Sequence, residues 1–144
     1  MVQDLFLQSN YNVFNYGMER VMPGFAKYLS PGGRSKVNKA LRFMSDFVVQ
    51  SMETGDLFYL EVKFRANGKY SIKELPADYP YKNAWFVIVS PQKIQCVHYK
   101  RLAEGFAISP QTHYHLTGIK SFHIVPELIQ EYETYAKTLF SGFQ

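Results

Sequence analysis

Three side chains in the stretch Leu41–Arg65, LRFMSDFVVQSMETGDLFYLEVKFR, are of types and at spacings that could act on a phosphodiester: Asp46, Glu61 and Lys63. Two carboxylates, with the backbone carbonyl of Val62 between the two functional residues of the second group, suit a hard divalent cation such as Mg²⁺, with Mn²⁺ as a substitute. A cation held there can bind a phosphate oxygen, lower the pKa of a bound water and stabilise the charge that develops as the ester breaks. Lys63 would orient that water, help to deprotonate it, or neutralise the developing charge. The same Glu61 and Lys63 could instead form an ordinary exposed pair on an amphipathic strand, which contributes less than about 1 kcal/mol.

The elements that must position these groups are two adjacent strands joined by the polar turn Glu53-Thr54-Gly55-Asp56. Alternation along the second strand sends Phe58, Leu60, Val62 and Phe64 to one face and Tyr59, Glu61, Lys63 and Arg65 to the other. A hairpin closed at this turn brings Asp46 towards Glu61, although sequence alone does not fix the register.

Asp46 set beside the apolar Phe47-Val48-Val49, then a gap of fourteen residues, then Glu61-Val62-Lys63 at the end of an apolar strand resembles the signature of the PD-(D/E)xK nuclease superfamily. Ser45 stands where that signature often has Pro. The resemblance spans residues 12 to 103, is strongest from 43 to 65, and implies a restriction-endonuclease-like α/β fold: a mixed central β-sheet flanked by helices. It implies that Asp46, Glu61 and the Val62 carbonyl bind metal, that Lys63 assists the attacking water, and that DNA is the substrate. The superfamily often adds a Glu from a preceding helix, and Glu19 in Gly17-Met18-Glu19-Arg20 has a similar position. That segment is also weakly similar to the small Holliday-junction resolvases. Cutting both strands of branched DNA would call for a two-fold dimer.

Composition is compatible with this picture. A chain of 144 residues, 47% hydrophobic and 17% aromatic, can bury a ring-rich core and is read as a single domain over 1–144. The one cysteine, Cys96, excludes an intramolecular disulfide framework and reads as a buried strand residue. The sequence has neither a membrane-length apolar run nor the pattern of a secretory signal at Met1–Asn10, so a cytoplasmic protein without a membrane partner is expected. The net charge of +4 permits a polyanionic partner. Arg34, within the loop Ser30-Pro31-Gly32-Gly33-Arg34-Ser35, and Lys36 and Lys39, which follow it, are the expected contacts to the DNA backbone, together with Arg65. The loop lacks the continuation of a nucleotide-binding P-loop.

Periodicity gives the remaining elements. Phe14, Met18, Val21, Met22, Phe25 and Leu29 predict a helix over 12–29, interrupted at Pro23-Gly24. Ala66-Asn67-Gly68-Lys69 predicts a turn, and Pro76 and Pro80 keep the following connection from being one regular helix, where the superfamily usually has one. Trp85–Ser90 predicts a central buried strand and Ile94–Leu102 a further strand. His113 and His115 have a spacing compatible with a transition metal, but no third ligand is evident nearby. Satisfied or exposed histidines account for them better. The final helix is predicted over 126–143 as a packing helix, with an apolar stripe from Leu128 to Phe140 that includes Tyr135 and Leu139, and with dimerisation through its aromatic stripe as the second possibility. A non-catalytic nucleic-acid-binding or protein-interaction module on the same fold is the alternative to an enzyme.

Overall fold

The computed structural model describes residues 1–15 and 47–142. The predicted loop at 30–35, the residues Glu19, Arg34, Lys36, Lys39 and Asp46, and most of the predicted 12–29 helix lie outside those residues.

The described chain is α/β, with a five-stranded mixed sheet flanked by helices, in the order α1 (Val2–Leu7), β1 (Tyr11–Asn15), β2 (Phe47–Ser51), β3 (Leu57–Phe64), β4 (Trp85–Val89), β5 (Ile94–His98), α2 (Tyr99–Ala103) and α3 (Pro126–Ser141). The strands lie side by side in sequence order. Only β3 and β4 run parallel, and every other neighbouring pair is antiparallel.

The predicted β2–β3 hairpin is present, and its turn is held by side chains suited to the task. Ser51 Oγ accepts from the backbone N–H groups of Glu53 and Thr54, each at 3.2 Å, and Gly55 supplies the positive φ of +81° that closes the turn. The register pairs Phe47 with Leu60 and Val49 with Phe58. The alternation predicted for β3 also holds: Phe58, Leu60 and Val62 pack into one core, while Glu61 and Lys63 are on the other face.

That first core is closed by α1 and α3, which bring Leu5, Phe6, Ile129, Tyr132 and Ala136 onto Phe47, Val49, Val87 and Cys96. Phe122 lies at its centre and meets the rings of Phe6, Tyr11, Phe58 and Trp85 edge-on. The second core covers the opposite face and gathers Tyr70, Tyr79, Phe86, Ile88, Val97, Leu102 and Ile108. Much of it comes from the β3-to-β4 crossover, which contains one 3₁₀ turn, Ile72–Glu74, and no α-helix. That turn is fixed by a reciprocal pair of bonds: Ser71 accepts from the Glu74 N–H, and Glu74 accepts from the Ser71 N–H.

Three expectations are corrected. Residues Tyr11–Asn15 form β1 rather than the start of a helix: Asn10 at φ +67° turns the chain out of α1, and Val13 and Phe14 then pair with Val49 and Val48. The strand expected over Ile94–Leu102 ends at His98, whose Nδ1 accepts the Lys100 N–H at 3.1 Å and caps α2. In α3, Ile129, Tyr132 and Ala136 are buried, but Tyr135 and Leu139 are exposed at 52% and 43%. Among the described residues, no helix is long and apolar enough to cross a membrane.

Candidate active site

Two residues apart on β3, Glu61 and Lys63 share a face, and Lys63 Nζ lies 3.5 Å from Glu61 Oε2. The parallel register places Glu61 beside Phe86 and Lys63 beside Ile88 of β4. Glu61 therefore sits on the ring-lined face with its side chain only 8% exposed, whereas the Lys63 side chain retains 29% exposure. An ordinary solvated surface pair does not describe this arrangement.

The crossover supplies a third group. Tyr79, itself 3% exposed, donates its hydroxyl proton to Glu61 Oε1 at 3.1 Å. Burial first, and then the neighbouring Glu61 charge and hydrogen bond, push the Tyr79 hydroxyl well above its ordinary pKa, so it remains a donor. The Tyr79 ring is stacked on Tyr99 at 5.9 Å and meets Tyr81 edge-on at 5.8 Å. Tyr81 in turn lies 5.9 Å from Tyr59 on β3, and its hydroxyl is also pushed up, chiefly by burial. Little in the order of residues announces Tyr79. It lies in a stretch legible mainly through Pro76 and Pro80, and its only signal is a run of tyrosines leading into β4.

The other expected site residues fall as follows. Asp46 lies outside the described residues and is joined by one peptide bond to Phe47, whose partner Leu60 directly precedes Glu61. The Val62 side chain packs into the first core, away from the Glu61 face. Arg65 is engaged with the crossover: its Nη2 lies 3.3 Å from Glu74 Oε1, and its guanidinium sits 5.5 Å from the Tyr70 ring centroid.

Glu61 offers the hard oxygen ligand that a Mg²⁺-type cation needs, so its chemistry fits. Among the described residues, however, no group of three or more His, Cys, Asp or Glu side chains could hold a metal ion. His115 is committed elsewhere. Its Nε2 bonds Glu133 Oε2 at 2.9 Å, its Nδ1 meets Thr117 Oγ1 at 2.6 Å, and Glu133 also accepts the Ile94 N–H at 2.7 Å. An open cleft of about 500 Å³ lined by Thr117, Lys120, Phe122, His123 and Val125 excludes Glu61 and Lys63.

No protein-family model matches the chain, and no curated protein matches it.

Proposed function

We propose that the chain is a metal-dependent endonuclease that hydrolyses phosphodiester bonds in DNA, with a restriction-endonuclease-like fold. The observation that carries this reading is the Glu61–Lys63 pair: a nearly buried carboxylate with an ammonium 3.5 Å away, on the strand next to the one that follows Asp46. Asp46, Glu61 and the Val62 carbonyl would hold Mg²⁺ or Mn²⁺, which when bound activates water and steadies the phosphate charge. Lys63 has the exposure needed to reach a water or a phosphate oxygen beside Glu61. Glu19 is the further acid that the resemblance suggests, and Arg34, Lys36, Lys39 and Arg65 are the proposed backbone contacts. Branched DNA is the favoured substrate, cut by a two-fold dimer in the cytoplasm.

The test compares wild-type protein with Asp46→Asn and Lys63→Ala on plasmid and four-way-junction DNA, with Mg²⁺, Mn²⁺ or chelator. We expect cleavage that requires metal and falls by about a hundredfold or more in each variant. Folded wild-type protein that cuts neither DNA would remove the enzyme reading. The engagement of both Glu61 oxygens, by Tyr79 and by Lys63, favours one second reading: a non-catalytic nucleic-acid-binding module in which Glu61 anchors the crossover. DNA binding that persists without metal or cleavage, and weakens with salt, is its signature.

A further inference from the structure

Three side chains are joined in a row that ends at the open cleft. Glu133 on α3 accepts the Ile94 N–H at 2.7 Å, and the same oxygen lies 2.9 Å from His115 Nε2. The other ring nitrogen, Nδ1, is 2.6 Å from Thr117 Oγ1. Thr117 is exposed and lines the cleft, whereas the Glu133 side chain is only 16% exposed. The surroundings fix which way the protons run. The Thr117 backbone N–H also points to Nδ1, at 3.4 Å, and a carboxylate faces Nε2, so Nδ1 is the acceptor and the ring proton lies on Nε2. The Thr117 hydroxyl is then the donor of the 2.6 Å bond. Capping of the 3₁₀ turn Leu116–Gly118 by His115 accounts for the backbone bond, but not for the shorter one from the hydroxyl.

A hydroxyl bonded to an imidazole whose far side is held by a carboxylate is the arrangement that activates a nucleophile by general-base catalysis. The ring is fixed from two sides, by the bridge between His115 and Gln95 of β5 and by Glu133 of α3. We propose that Thr117 is a nucleophile with His115 as its base, that Glu133 is the positioning residue for the ring, and that the substrate is a small carboxylic ester bound in the cleft. Thr117 Oγ attacks the ester carbonyl carbon while its proton passes to His115 Nδ1. The bond from that carbon to the alcohol oxygen breaks, the alcohol leaves with the proton, and the acyl group stays on Thr117. Water then attacks the acyl carbon and gives a proton to Nδ1. The acid departs as Thr117 Oγ recovers that proton, so ester and water become acid and alcohol. Ile119, Phe122 and Val125 give the cleft its apolar lining, and Lys120 brings to it a positive charge that favours the developing oxyanion. This activity is independent of the endonuclease reading, because Glu61 and Lys63 do not line the cleft.

The test uses the full chain with p-nitrophenyl acetate. Released nitrophenol gives the rate, and peptide mass mapping after an acid quench locates the acyl group. Thr117→Val keeps the shape of the side chain without its hydroxyl, and Thr117→Ser keeps the hydroxyl. We expect acetyl on Thr117 in the wild type, a rate lower by about a hundredfold or more in Thr117→Val, and a rate retained in Thr117→Ser with the label on the serine. Ring nitrogen NMR shifts should place the His115 proton on Nε2 in the wild type and in Thr117→Val. In Glu133→Gln, whose amide can accept from Nε2 or donate to it, both tautomers and a rate about tenfold lower are expected. An unchanged tautomer there removes Glu133 from its positioning role. Acetyl found only on Lys120 or the N-terminal amine, no acetylation at all, or a wild-type ring proton on Nδ1 overturns the proposal.

Discussion

Cys96 and His98 stand two positions apart on β5, and burial drives their proton affinities in opposite directions. The Cys96 thiol, enclosed in the first core, is pushed up and stays neutral, so it packs as a small apolar side chain. The His98 imidazole is held below its ordinary 6.5, first by desolvation and then by the nearby Lys100 charge, while a backbone hydrogen bond at Asn83 works the other way. Its role as acceptor for the Lys100 N–H agrees with a neutral ring. The unfolded chain therefore takes up a proton at His98 at a higher pH than the folded one. The stability linked to His98 is complete above about 6.5 and is lost as pH falls through the depressed folded value. Asn can cap a helix without titrating. Urea midpoints at about pH 5 and pH 8 should thus differ less for His98→Asn than for wild type; an equal difference would show that His98 makes no such contribution.

The helix α3 shows how an element can be right in place and partly wrong in its facing. The predicted stripe took in every apolar position from Leu128 to Phe140, yet the sheet receives Ile129, Tyr132 and Ala136 and leaves Tyr135 and Leu139 outward. Glu133 sets this rotation in part, because its carboxylate accepts both the Ile94 N–H at the start of β5 and the His115 ring. Ile129 is fully buried, so Ile129→Ala should destabilise the protein by about 3 kcal/mol, through lost burial and the cavity left behind. Leu139→Ala should shift the urea midpoint only slightly. Equal losses would mean that the outward stripe is covered. The 12–29 helix prediction fails over Asn12–Asn15 because pairing with β2 overrides local periodicity in so short a segment: Val13 turns to the core, and Phe14, the one residue of the expected stripe there, is left 42% exposed.

At the level of the whole molecule, the legible parts were those with local causes. The 53–56 turn, the alternation of β3, the apolar β4, the poor helicity of the crossover and the Pro-initiated α3 were all read from neighbouring residues. So was the common face of Glu61 and Lys63. The burial of Glu61 and its bond to Tyr79 were not, because they depend on the crossover folding back over the sheet, which no local pattern encodes. That same division has a temporal side. The β2–β3 hairpin closes over a few residues, whereas pairing Leu60 with Trp85 requires the whole crossover to be gathered first. Closing the longer loop costs more chain entropy before its contacts form, so the hairpin should be native-like in the folding transition state and Tyr79 should dock after it. Gly55→Ala, strained at φ +81°, should therefore slow refolding, while Tyr79→Phe should mainly speed unfolding, as stopped-flow denaturant jumps would reveal. On that order of events, the Glu61 carboxylate stays hydrated through most of assembly, and surrenders its water only when the last tyrosine arrives to replace it.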